Sequence, residues 1–287
     1  MLIQRIVTAL LLLPFVLGTL WYGSTDVVGV VFGAVVLIAV YEWAALTLRR
    51  SAGGRPNDRQ ARVTYTLAAA LLIFAVVTLR DTPVVWVMVG ATCLWWGVML
   101  RWISQYPVGF GDRYPPRWIK AGAGLLVIPG TIGAVTLLHG APGAEGAPAH
   151  FGAWKLMFAL FLVWAADVGA YFAGKGFGKH KLAPEVSPGK TWEGVAGGVA
   201  LSLLIVGIAG TWLFHLQGRA WIPFGLMCVA IVLISIVGDL GESLLKRQAG
   251  AKDSGTLLPG HGGLLDRIDS LLAALPALAL GLRWLHL

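Results

Sequence analysis

Nine stretches of this chain are apolar for long enough to cross a bilayer as helices, and this constrains the fold more than any other feature. A membrane helix needs about 20 predominantly apolar residues, because it must span roughly 30 Å of hydrocarbon while bonding all its own backbone amides. The candidates are residues 6–22, 27–48, 63–80, 83–103, 121–139, 151–173, 192–214, 221–240 and 269–286, the last short and interrupted by Pro276. Charged residues make up 13% of the 287, against about 25% in a soluble domain. An all-α, polytopic helical bundle is expected, with no separate soluble domain to carry chemistry. Any site must be built from helix ends and the loops between them. The first apolar run has one Arg ahead of it and no small-x-small cleavage site after it, so it reads as an uncleaved first span. Cys93 and Cys228 stand singly within apolar runs and are expected to pack as small hydrophobes. The Trp residues fall largely near span ends, as an interfacial belt would.

Basic residues fix the expected orientation. If the N-terminus lies inside, 18 of the 22 Lys and Arg fall in cytoplasmic segments, and only Arg80, Lys155, Arg219 and Arg283 fall outside. The positive-inside rule selects this topology over its inverse. It also accounts for the net charge of +8 without any nucleic-acid partner. The segments 174–191 and 241–268 then face the cytoplasm, where nucleotides are available. We divide the chain into an N-terminal set of spans with basic loops (1–120) and a C-terminal region (121–287) holding both segments.

Segment 243–269, SLLKRQAGAKDSGTLLPGHGGLLDRID, places Lys246, Arg247, Lys252 and Arg267 among Asp253, Asp266 and Asp269, around a Pro-Gly-His-Gly-Gly turn. This mixture suits a metal-bound phosphate: carboxylates hold hard cations, Lys and Arg neutralise phosphate oxygens, and glycines such as Gly262 and Gly263 admit backbone amides. His261, between two glycines, is expected to be exposed in the loop, where it could donate to a phosphate. Just upstream, Asp239, Ser243 and Lys246 fall on one face of a continuing helix. Asp239 ends an apolar run, where a carboxylate costs about 2.5–3.5 kcal/mol on insertion scales and usually marks function. Asp269 precedes Ser270 and an apolar run, so capping the last helix competes with metal ligation there. Asp266 has no such structural alternative.

A second constellation, Ser187-Pro-Gly-Lys-Thr-Trp-Glu-Gly194, immediately precedes the span 192–214. Ser187, Lys190 and Thr191 at a helix start offer hydroxyls, an ammonium and free amides to a phosphate. Lys190 opposes the helix dipole there unless an anion is bound, whereas Glu193 in the first turn is favoured by it. A P-loop is excluded, since its first glycine would fall on Pro184 and no strand is expected before it. Asp167, inside the span 151–173 with Tyr171 four residues on, is expected to face the bundle interior or a polar cavity. Glu42 is near enough to Arg49 and the interface to read as a structural ion pair.

Together these motifs resemble the phosphatidate cytidylyltransferase (CDP-diacylglycerol synthase) family. Its signature is Ser-x-aliphatic-Lys-Arg, four residues, Lys-Asp, then His-Gly-Gly and Asp-Arg-x-Asp, and residues 243–269 fill every fixed position. The Ser-Pro-x-Lys-Thr-x-Glu-Gly motif and an Asp followed by Ala-Tyr are also matched, at 187–194 and at Asp167. The chain departs at Gly189, where many members carry a second Lys, so no role of that Lys is carried over. By motif, the resemblance covers about the C-terminal 120 residues. It implies transfer of the cytidylyl group of CTP to phosphatidic acid at a bacterial-type inner (plasma) membrane, with release of pyrophosphate. It further implies magnesium held by Asp239 and Asp266, a monovalent cation such as potassium completing the pair, and a homodimer. A CTP-dependent lipid kinase would share such a site but transfer the γ-phosphoryl group. A transporter would explain Asp167 and the spans but not the phosphate-binding chemistry of the loops. A CDP-alcohol phosphotransferase is excluded, because the chain has no Asp-Gly dipeptide.

Overall fold

The computed structural model describes residues 14–48, 59–107, 115–143, 146–255 and 262–287. The described chain opens with helical residues 14–22 (α1), followed by α2 (Thr25–Thr47), α3 (Arg59–Thr78), α4 (Pro83–Gln105), α5 (Arg117–Gly140) and α6 (Phe151–Phe177). A hairpin of β1 (Lys181–Ala183) and β2 (Ser187–Thr191) leads into α7 (Trp192–Ile208), and α8 (Trp221–Gln248) and α9 (Leu265–Trp284) complete the bundle. Seven of these helices, α2 to α8 with α7 prolonged to Leu213, are long and apolar enough to cross a membrane. Helix α9 runs through Pro276, which is buried, so the proline does not divide that segment as its sequence suggests.

Local chemistry sets the helix ends. Ser24 caps α2 by accepting from the Val27 amide at 3.3 Å, and Pro83 opens α4 where its missing amide hydrogen is harmless. Helix α8 outruns its apolar stretch by two turns, to Gln248, with Lys246 and Arg247 favourably placed in its last turn. It stops at a Schellman motif: Gly250, at φ +63°, donates to the Arg247 carbonyl and Ala251 to that of Lys246. The connection to α9 is therefore 249–264, shorter than the loop expected from the apolar pattern.

Helix α5 is the most enclosed of the seven, with every residue from Val127 to Thr136 buried. Against it lie α2, α3, α4 and α9. Two tryptophans belong to this interior and not to an interfacial belt: Trp43 Nε1 donates to the Lys120 carbonyl (2.9 Å) and Trp96 Nε1 to that of Leu272 (3.1 Å), both rings fully buried. Cys228 is buried and Cys93 half-buried, both as free thiols. Helices α6 and α7 form the closest pair, because Ala166, Gly169 and Ala173 face Gly197 and Gly198. A methyl on Gly198 would lie 2.7 Å from the Ala166 carbonyl.

Contacts between helix ends gather two groups of loops. Trp43 near the end of α2, Lys120 in α5 and Gln248 at the end of α8 are linked, the last two by a 3.1 Å bond from Lys120 Nζ. Arg247 Nε reaches the Val186 carbonyl in the hairpin at 3.2 Å. At the opposite group, His139 at the end of α5 bonds Thr25 and the Leu20 carbonyl, and Arg80 pairs with Asp26. The hairpin and the 249–264 connection thus share one end of the bundle.

Candidate active site

At that end, the hairpin, α8 and α9 bring two lysines to a group of carboxylates. Lys190 in β2 pairs with Asp239 of α8 at 2.6 Å, both side chains partly exposed. The Ser243 hydroxyl, one turn on, donates to the other Asp239 oxygen at 3.4 Å. One turn further, Lys246 bridges Glu242 (2.9 Å) and Asp266 of α9 (2.6 Å). The helical spacing of Asp239, Ser243 and Lys246 holds, but Lys246 turns to Glu242 and Asp266, leaving Asp239 to Lys190. Here is the anion that Lys190 requires. Lys190 itself lies in a strand, one residue before the helix cap, and not in the first turn of α7.

Thr191 forms that cap, its hydroxyl accepting from the Gly194 amide at 3.1 Å. Glu193 looks back from the first turn, accepting from the His180 backbone amide (3.2 Å) and lying 2.6 Å from His180 Nδ1, which ties the hairpin to α7. Ser187 pairs with Ala183 across the hairpin. No strand is expected from the sequence before this motif, and the structure corrects that: β1 pairs antiparallel with β2 as the chain reverses between α6 and α7.

Asp266 is the most heavily bonded carboxylate of the group. Besides Lys246 it accepts from the Ser254 amide (3.0 Å), the Ser254 hydroxyl (2.9 Å) and the Gly263 amide (2.8 Å). It lies ahead of the apolar run of α9, outside the seven spans. Burial works against its charge, but the Lys246 ammonium and the Gly263 and Ser254 amides outweigh it and hold the carboxyl at about 2. Asp266 therefore stays ionised at physiological pH. The expectation that Asp266 lacks a structural role is corrected here: it closes the 249–264 connection onto α9. The capping role weighed for Asp269 is corrected as well. Helix α9 begins at Leu265, so Asp269 is inside it, bonded to the Ser270 amide at 2.7 Å.

Asp167 is not enclosed by the bundle. Its side chain is exposed, and among the described residues it makes no ion pair. The seam between α6 and α7 is filled by backbone and methyl contacts at Ala166, Gly169 and Ala173, which leaves no room for a carboxylate. Asp167, one residue from Ala166, falls beside the seam, within the fields of Asp239 and Lys190. Arg247, Lys252, Asp253 and Arg267 are exposed around the rim. Gly262, at φ +80°, adopts a backbone conformation that suits glycine. His261 lies outside the described residues.

Sequence reasoning gave two acidic residues, Glu242 and Glu42, no role in the site. Glu242 is almost wholly buried, and its Oε1 has no hydrogen-bond partner. Glu42 is 4% exposed beneath the connection, accepting from the Ser254 hydroxyl and the Leu264 and Leu265 amides, while Arg49, the ion-pair partner expected of it, lies outside the described residues. The clue was a carboxylate within an apolar run, the same clue that singled out Asp239. Among the described residues, no three His, Cys, Asp or Glu side chains converge as a ready metal centre, and lysines occupy Asp239 and Asp266. The orphaned Glu242 oxygen and the surplus of carboxylates over ammonium groups nonetheless fit a cation.

Comparison with known proteins identifies the family. The profile of the Cytidylyltransferase family matches residues 3–285. A phosphatidate cytidylyltransferase of Pseudomonas aeruginosa is 42% identical over 97% of this chain and 96% of its own length. One of Haemophilus influenzae is 34% identical over 96% of each chain. One of Synechocystis is 34% identical over 95% of this chain and 94% of its own. Matched from residue 3 to residue 285 and 42% identical to a relative over nearly all of its length, this chain belongs to the cytidylyltransferase family.

Proposed function

We propose that this protein transfers the cytidylyl group of CTP to phosphatidic acid, giving CDP-diacylglycerol and pyrophosphate at the cytoplasmic face of an inner membrane. A phosphatidate oxygen attacks the α-phosphorus of CTP. The bond from that phosphorus to the oxygen bridging the α- and β-phosphates breaks, and pyrophosphate leaves. The observation that carries this reading is the pairing of Lys190 with Asp239 and of Lys246 with Glu242 and Asp266, from three elements at one end of the bundle. Two polyanions must meet in the reaction, so charge neutralisation and positioning dominate over proton transfer. Lys190 and Lys246 are placed to exchange a carboxylate for phosphate oxygens, which would leave Asp239 and Asp266 free to hold a cation. Asp239 and Asp266 would hold magnesium, with the orphaned Glu242 oxygen beside them and potassium as a second cation. Bound there, a divalent ion supplies Lewis-acid stabilisation of the phosphate oxygens. Ser187, Thr191 and the rim residues Arg247, Lys252 and Arg267 orient phosphates, and Asp167 lies where lipid and site meet. A homodimer is the expected assembly.

The test is purified protein in detergent with α-labelled CTP, phosphatidate and magnesium. Pyrophosphate with label in the lipid supports the proposal. Free CDP with γ-phosphate transferred to lipid would instead identify a lipid kinase, and absence of turnover would remove the proposal.

A further inference from the structure

Glu42, in the N-terminal half of the chain, lies directly beneath the connection that leads into α9 and Asp266. Its carboxylate accepts from the Leu264 amide (3.1 Å) and the Leu265 amide (2.8 Å), fixing the start of α9. It also lies 3.2 Å from the Ser254 hydroxyl, which is itself 2.9 Å from Asp266 Oδ2. A hydroxyl has one hydrogen, so the two carboxylates share it, and Ser254 is held between them. At Gly255 and Gly263 the two chain segments close onto Glu42 with no side chain between. A methyl on Gly263 would lie 2.6 Å from each Glu42 oxygen, and one on Gly255 would collide with Oε1. The two glycines are thus required by a residue more than 200 positions away.

We propose that Glu42 is a positioning residue for the reaction: the buried anionic template over which segments 254–255 and 262–265 close, and which thereby sets Asp266 and its partner Lys246. This rests on the cytidylyl-transfer reading for its kinetic consequence. Neighbours that orient metal-binding carboxylates typically alter metal affinity or activity by about ten- to a hundredfold when removed. Glu42→Gln retains size but sets an NH2 group against amide donors, so at least one bond to Leu264 or Leu265 is lost.

The experiment compares wild type and Glu42→Gln in detergent, with magnesium titrated at saturating CTP and phosphatidate, and with amide hydrogen exchange followed across 254–266. Expected in the folded variant are a magnesium requirement raised about ten- to a hundredfold, a lower kcat, an unchanged KM for phosphatidate, and faster exchange at 263–265. Wild-type magnesium dependence together with wild-type exchange would overturn the proposal. If Glu42→Gln does not fold, Ser254→Ala decides, a raised magnesium requirement supporting the proposal and an unchanged one overturning it. If the wild type itself shows no cytidylyl transfer, the functional reading fails separately. Exchange alone then judges Glu42: faster exchange at 263–265 supports the template role, and unchanged exchange rejects it.

Discussion

Replacing Lys246 by Met tests the most buried charges of the site. The Lys246 side chain is 15% exposed, and its partners Glu242 and Asp266 are 2% and 8% exposed. Removing one member of a buried ion pair typically costs about 3–5 kcal/mol, because the remaining charge keeps its desolvation penalty. The lower end applies to Asp266, which keeps both Ser254 donors and the Gly263 amide. Glu242 fares worse. Its Oε1 already lacks a donor and Asp269 lies against it, so losing Lys246 leaves Glu242 without a cationic partner. A destabilisation of about 3 kcal/mol is expected, or a fall in the thermal midpoint on the order of 6–12 °C at roughly 2–4 °C per kcal/mol. The assay is thermal unfolding in detergent, which is independent of whether turnover survives. Adding Glu242→Met should recover about half the loss, since apolar pairs of similar volume replace buried ion pairs at little cost. A Lys246→Met loss below about 1 kcal/mol, or a double variant as unstable as the sum of the singles, would refute the claim that the bridge holds α8 to α9.

Three further outcomes are expected. Lys190→Ala should leave stability within about 1 kcal/mol, since its pair with Asp239 is partly exposed, yet lower turnover at limiting CTP strongly; near-wild-type activity there removes Lys190 from the site. Asp239→Asn and Asp266→Asn should each lower activity about a hundredfold or more, and the double variant should be hardly worse than either single, as expected of groups acting as a unit. Only Asp266→Asn should also depress the thermal midpoint, because only Asp266 closes the 249–264 connection, and equal midpoints for the two would contradict that role. In a variant lacking Cys93 and Cys228, a cysteine at exposed Lys252 should react only with membrane-permeant reagents and one at exposed Gln217 also with impermeant ones; the reverse pattern inverts the orientation.

The sequence alone showed the apolar helices and which residue types gather in the C-terminal region, but not the hairpin of β1 and β2. Hydrophobic length dictates helices in a bilayer whatever their packing, so α2 to α8 were legible as apolar runs, though α8 outran its run because Glu242, Lys246 and Arg247 continue a helix beyond the membrane core. Residue types at fixed spacing likewise singled out Lys190, Asp239, Lys246 and Asp266. Partnership was decided only by tertiary structure. Helical periodicity records which residues share a face, but not which neighbour faces them. Lys190 therefore found Asp239 from a strand, Lys246 chose Glu242 and Asp266, and Asp167 fell beside a glycine seam. Glu42 shows the difference most clearly. Local sequence places it near Arg49 at an interface, and only the packing of α2 beneath the start of α9 makes it the buried acceptor for a connection 212 residues away in sequence.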